Sequence, residues 1–212
     1  FELLGREDHA FLLESVVGGE RIARYSFIAS SPTKVYSVSG GKARISGYGE
    51  GNEEFTTTDP LADLSKLLGK RKYAASKHLP AFTGGLVGYA GYDTIRYYEA
   101  DKLTNPPKDD RQLPDLLFGL YNELVIFDHV DKTIKVVANA MIEGDADHAY
   151  RDACHRIDLL VRRLQQPTVA RMGEIDPEQP LSIPFSSNMS RDQYEHAVRA
   201  GMEYIKAGDI FQ

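Results

Sequence analysis

Few residues of this 212-residue chain combine the types and spacing that chemistry requires, and most candidates fail on spacing. Gly84, Gly85, Gly88 and Gly91 suggest a phosphate loop, but they form no G-x-G-x-x-G and precede no Gly-Lys-Ser/Thr. Gly41-Lys42 fails as well, because Tyr36 occupies the position of the first Walker glycine. His129 with Asp128 and Asp131 can be drawn as a metal site, yet no second histidine lies at ligand spacing. Aspartates are in any case expected in a hairpin turn. His148 and His155 are seven residues apart and so two helical turns from each other, and Cys154 reads as a small helix residue. No Ser/His/Asp or Cys/His nucleophile arrangement, and so no catalytic constellation, emerges from spacing.

Leu12-Leu13-Glu14-Ser15 is different. Glu14 and Ser15 leave an apolar strand directly, which leaves two readings open: one polar side chain turned inward, or a strand end with solvated polar residues. Arg21 and Arg24 fall in the following turn, within reach of Glu14 for a surface ion pair worth little.

The elements that must position these residues are mostly strands. Phe11–Val16, Arg24–Ala29, Lys34–Val38, Ala43–Ser46 and Glu53–Thr57 are predicted strands, separated by turns at Gly18-Gly19, Gly40-Gly41 and Gly47–Gly51. Asp59-Pro60 marks a helix start, N-cap then Pro at the first helical position, with Leu61, Leu64 and Leu68 as the expected buried stripe. Ala81–Tyr92 is a glycine-rich strand that something packs against closely. Asp93–Ala100 reads as helical, and Leu103–Pro114 as a polar loop. Leu116–Phe127 and Thr133–Ile142 form a predicted hairpin with its turn at Asp128–Lys132. A helix from about Asp145 to Gln165 carries Ala153, Ile157, Leu160 and Leu164 on one face. Pro167–Pro184 holds four prolines and reads as a linker. The fold class is α+β: an antiparallel β-sheet system with flanking helices, not alternating βαβ units.

Composition narrows the function classes. With 25 Lys+Arg against 31 Asp+Glu the net charge is −6, which argues against a nucleic-acid or anionic-membrane surface. No apolar run approaches the roughly 20 residues of a membrane helix. The single cysteine excludes an intrachain disulfide and points to a reducing compartment, so a cytoplasmic location is expected.

Both ends suggest a piece of a longer polypeptide. The first residue is Phe1 rather than Met. Ser190 caps a predicted helix running to Lys206, with Tyr194, Val198, Met202 and Ile205 on one stripe and Gly208 as its stop. Asp209–Gln212 then reads as the beginning of a strand without a partner.

Four stretches in order resemble anthranilate synthase component I, a chorismate-utilising family. They are Phe11-Leu12-Leu13-Glu14-Ser15-Val16 with Gly19-Glu20-Arg21, Arg24-Tyr25-Ser26-Phe27-Ile28, Gly84-Gly85-Leu86-Val87-Gly88-Tyr89 with Gly91-Tyr92-Asp93, and Tyr204–Gln212. Ser30 after Ala29 departs from the family's Ile-Gly at a turn. The resemblance implies an N-terminal regulatory domain over 1–166, a linker over 167–189, and the start of a chorismate-binding catalytic domain over 190–212. It implies that the residues binding chorismate and Mg²⁺, and those doing the catalysis, lie beyond Gln212. It implies a tryptophan effector site walled by Leu13, Glu14 and Ser15, with Arg24 or Tyr25 alongside, whose opposite wall belongs to the catalytic domain. The implied activity makes anthranilate and pyruvate from chorismate and ammonia under tryptophan feedback, with a glutamine amidotransferase subunit as partner. Aminodeoxychorismate synthase component I of the folate branch is the nearest alternative, and a free-standing sensor domain is the alternative from another class.

Overall fold

The computed structural model describes residues 4, 8–14, 16–17, 21–22, 24–47, 50–69, 74, 76–167 and 184–212. The chain divides into two compact units, Phe1–Ala170 and Arg171–Gln212. The expected linker over 167–189 lies largely outside the described residues, as do Ser15 and the Gly18-Gly19 turn.

The first unit is built on antiparallel strands. They are β1 (Ala10–Leu13), β2 (Val16–Val17), β3 (Arg21–Ile22), β4 (Tyr25–Ser30), β5 (Lys34–Ser39), β6 (Lys42–Gly47), β7 (Glu50–Thr56), β8 (Gly85–Ala90), β9 (Leu116–Tyr121), β10 (Glu123–Asp128) and β11 (Thr133–Ala138). One sheet has the order β1-β4-β10-β11, a second the order β7-β6-β5-β9-β8, and β2 pairs with β3 alone. Helices α1 (Pro60–Leu68) and α2 (Ala146–Leu164) flank the sheets, as the α+β expectation requires.

The sequence shows why β10 is central. Leu124 and Ile126 pack with Ala29, Tyr121 and Val137, while Val125 turns the other way to Leu4 and Ile28, with Leu160 and Leu164 of α2 against them. A strand buried on both faces needs an unbroken apolar run rather than alternation, and Leu124–Phe127 supplies it. The second sheet buries Tyr36, Val38, Ala43 and Leu116 together with Leu64 of α1.

Three expectations change in detail. The predicted strand Leu116–Phe127 is two strands: at Asn122 the chain passes from one sheet to the other, so only β10 and β11 form the hairpin. Asp93–Ala100 is replaced by a short 3-10 helix at Tyr92–Tyr97. In α1, Leu64 is 8% exposed but Leu61 is 44% exposed, and Leu67 rather than Leu68 packs on the core. Both stripes have helical spacing, and only the sheet beneath selects between them.

Local signals are matched closely. Asp59 caps α1 through the Ala62 amide, with Pro60 at the first turn. Gly88 lies so near β9 that a Cβ there would sit 1.9 Å from the Leu117 carbonyl oxygen. In the second unit, α3 (Arg191–Ala207) has a capping box between Ser190 and Gln193 and ends at Gly208 with φ 81°. None of its residues is buried, and Asp209–Gln212 forms no strand, since none of these residues pairs with a neighbouring strand.

Candidate functional site

The β1–β4 ladder positions the residues singled out in the sequence. Register runs from Ala10↔Ser30 to Leu13↔Phe27, and Glu14 lies one residue past the last pair, beside Ser26. The Ser26 hydroxyl donates to Glu14 Oε1 at 3.1 Å. Its oxygen also lies 2.7 Å from His129 Nε2. Ser26 itself is 2% exposed. Because successive strand residues face opposite ways, Leu13 stands with Phe27 on one face and Glu14 with Ser26 on the other. Leu13 is 43% exposed, so both side chains are reachable at the strand end.

A Glu–Ser–His chain is not a nucleophile triad. A triad needs the carboxylate on the far nitrogen of the histidine, so that the imidazole can take the serine proton. Here the carboxylate takes the serine proton itself, and the serine is buried away from any substrate.

Arg24 sits just before β4 and does not pair with Glu14, as the turn spacing had suggested. Its Nε and Nη2 reach Asp128 at 3.1 and 3.0 Å, and Nη2 reaches Asp131 at 2.9 Å. Asp128 also accepts from Lys135 at 2.9 Å and from the Val130 and Asp131 amides. Two cations and two amides thus occupy a carboxylate drawn earlier as a metal ligand. The Arg24 guanidinium lies 5.0 Å above the Tyr25 ring, a cation–π distance. The Arg24 side chain is 48% exposed and Glu14 is exposed at the strand end, so each group keeps a side open to a ligand.

Sequence reasoning missed Ser26, and it weighed His129 only as a metal ligand, not as a partner of Ser26. The available signal was a serine at an inward position of β4, whose Ser26 and Ile28 are both buried. Concave cavities among the described residues of the first unit lie elsewhere. One of about 500 Å³ is lined by Asn122, Glu123, Asp145 and Arg156, and one of about 610 Å³ by Tyr89, Tyr92, Tyr97 and Asp115. Neither includes Leu13, Glu14 or Arg24, all three of which are exposed. Among the described residues no three His, Cys, Asp or Glu side chains converge as ligands for a metal ion. No described helix is long and apolar enough to cross a membrane.

Comparison with known proteins places this geometry in a family. A family model described as chorismate binding enzyme matches residues 9–212. The chain is 36% identical over 205 residues to anthranilate synthase component 1 of Pseudomonas aeruginosa, covering 96% of this chain and 41% of that protein. It is 35% identical over 209 residues to a probable anthranilate synthase component 1 of Schizosaccharomyces pombe, covering 96% and 38%. The crystal structure of anthranilate synthase component I from Streptococcus pneumoniae TIGR4 matches with a TM-score of 0.66 over 95% of this chain and 41% of that one. At 24% identity that likeness speaks for the fold. The chain spans about two fifths of the length of the curated relatives it matches. On sequence and architecture together, this chain belongs to the chorismate binding enzyme family, with anthranilate synthase component 1 proteins among its relatives.

Proposed function

We propose that this chain is the N-terminal, feedback-regulatory part of an anthranilate synthase component I. The whole protein would be a lyase that converts chorismate and ammonia to anthranilate and pyruvate, with ammonia delivered from glutamine by an amidotransferase subunit. Tryptophan would inhibit it, and the lone Cys154 suits a reducing compartment such as the cytoplasm. Chorismate, Mg²⁺ and the catalytic residues belong to sequence beyond Gln212 in this reading, and no chemical step is assigned to residues 1–212.

One observation carries the regulatory part of the proposal: Glu14 is held at the end of β1 by a buried hydroxyl and is itself exposed. A zwitterionic amino acid needs an acceptor for its ammonium group and a donor for its carboxylate. Glu14 offers the first and Arg24 the second, while Leu13, on the other face of β1, would meet an indole only around the exposed end of the strand. Ser15, beside Glu14 in sequence, is counted in the site on the resemblance alone and lies outside the described residues.

Magnitudes explain why such a wall would be shared between domains. Burying about 200 Å² of indole is worth roughly 5 kcal/mol before binding entropy is subtracted. Micromolar affinity needs about 8 kcal/mol net. Apolar burial alone falls short, so the rest must come from charged hydrogen bonds and from the opposite wall, which the resemblance gives to the catalytic domain. Tryptophan would then favour one domain placement and chorismate another, and each would weaken the other's binding reciprocally.

The test is chorismate turnover by the full-length protein with ammonia and Mg²⁺, followed by fluorescence, with and without tryptophan. Anthranilate formation inhibited by tryptophan is expected. Aminodeoxychorismate as product would move the protein to the folate branch, and no turnover would favour a sensor domain.

A further inference from the structure

We infer that Ser26 and His129 are positioning residues that hold the Glu14 carboxylate in place for the ammonium group of an α-amino acid and so set the effector site's affinity. The inference rests on the reading of Glu14 as the ammonium acceptor and adds two residues and a mechanism to it.

Proton accounting fixes the direction of the chain. A serine hydroxyl has one hydrogen, and that of Ser26 goes to Glu14 Oε1. The 2.7 Å contact with His129 is therefore a donation from Nε2–H to the Ser26 oxygen. Both the imidazolium and the Nε2–H tautomer of neutral imidazole make that donation. The opposite tautomer would draw the Ser26 hydrogen away and release Glu14.

The position of His129 comes from the β10–β11 turn. Its amide donates to the Arg24 carbonyl at 2.8 Å, and the turn starts at the last ladder pair, Asp128↔Thr133. The same turn supplies Asp128 and Asp131, which hold the Arg24 guanidinium. One turn thus sets both charged ends of the site: the anion through His129 and Ser26, the cation through Asp128 and Asp131. These holds give each of the two charges partners of its own. With them, each charge is fixed from beneath and open from above. A ligand carrying both an ammonium and a carboxylate fits that arrangement better than a simple amine or a simple acid.

The experiment uses the full-length subunit and measures tryptophan affinity by calorimetry, with thermal melting as the control for folding. Ser26→Ala and His129→Phe are expected to weaken tryptophan roughly tenfold, as expected for a lost hydrogen bond to a charged group. Ser26→Thr and His129→Gln, which keep a donor, are expected to restore most of that loss. In a Glu14→Gln background Ser26→Ala should cost less than about threefold, because the two act through one group. Unchanged affinity in Ser26→Ala and His129→Phe, beside a weakened Glu14→Gln, would overturn this inference alone. So would full additivity of Ser26→Ala and Glu14→Gln. Unchanged affinity in Glu14→Gln would overturn both the inference and the site reading beneath it. Should Ser26→Ala fail to fold, the His129→Phe and His129→Gln pair decides the matter.

Discussion

Arg24 meets the buried carboxylate of Asp128 through two nitrogens, Nε at 3.1 Å and Nη2 at 3.0 Å, across 104 residues of sequence. Lys135 adds a second cation at 2.9 Å. This cluster ties the start of β4 to the β10–β11 turn, so it shapes both the fold and the wall that carries Glu14.

The first prediction concerns acid. Hydrogen bonds from Arg24, and then from Lys135, hold the Asp128 carboxyl well below its ordinary 3.8, against the opposing effect of burial. A carboxyl depressed in the folded state stabilises the fold fully above the unfolded value, and that contribution is lost as pH falls below it. Urea midpoints of the parent should therefore begin to drop near pH 4 and fall further as pH is lowered towards about 2. Asp128→Asn should start lower at neutral pH and show a shallower acid slope. Parallel slopes would remove Asp128 as a source of acid sensitivity.

A second prediction separates two glycines. At Gly88 an added Cβ would meet the Leu117 backbone oxygen at 1.9 Å, whereas at Gly51 nothing lies within 4 Å. Gly88→Ala must therefore push β8 off β9, at a cost of about 3 kcal/mol. Gly51→Ala, on the exposed strand β7, should be neutral or stabilising by about 0.5 kcal/mol through the unfolded chain. Chemical denaturation of the two variants checks the contrast.

Alkaline behaviour gives a third. Tyr97 donates to Asp115 Oδ2 at 2.7 Å and accepts from the Gly41 amide at 2.9 Å. Burial, followed by the bond to Asp115, pushes its phenol up to about 12. A tyrosine raised in the folded state stabilises fully below the unfolded value, ordinarily 10.0, and the contribution fades as pH climbs from there towards the folded value. Tyr97→Phe should cost about 1–3 kcal/mol at neutral pH, because Asp115 and the Gly41 amide each lose a partner. It should also flatten the loss of stability between about pH 10 and pH 12, which urea midpoints would reveal.

Effector binding supplies a fourth. Residues 1–212 alone should show no micromolar tryptophan binding in calorimetry, since apolar burial on one wall falls at least roughly 3 kcal/mol short even before binding entropy is subtracted. In the full-length subunit, Ser15→Phe should fill the pocket and relieve inhibition with turnover intact. Micromolar binding to the isolated segment, or inhibition unaltered in Ser15→Phe, would count against the proposed site.

What could be read from sequence was what is decided locally. The Asp59-Pro60 start of α1 and the Ser190 and Gly208 limits of α3 are set by a few neighbouring residues, and the structure has them where the residues put them. The close approach at Gly88 was legible for the same reason. The sheet change at Asn122 was not, because one apolar run serves equally as one long strand or two short ones, and only distant partners in β4 and β5 decide. The site divides likewise. Glu14 stood out as a polar residue leaving an apolar strand. Its partner Ser26 is 12 residues away and His129 lies 103 residues beyond Ser26, so no local pattern could join them.

The sheet change at Asn122 has a consequence for synthesis on the ribosome. Strands β4 to β7 are complete by Thr56, yet β4 and β5 reach their central partners only once β9 and β10 have been made, through Asp128. At roughly 5–20 residues per second, the intervening 72 residues (128 − 56) take about 4–14 s to make. For that interval the nascent chain carries two sheets with open inner edges, β4 in one and β5 in the other. A single short segment then closes both at nearly the same moment, so the last strands to arrive make the two halves of this unit cooperative.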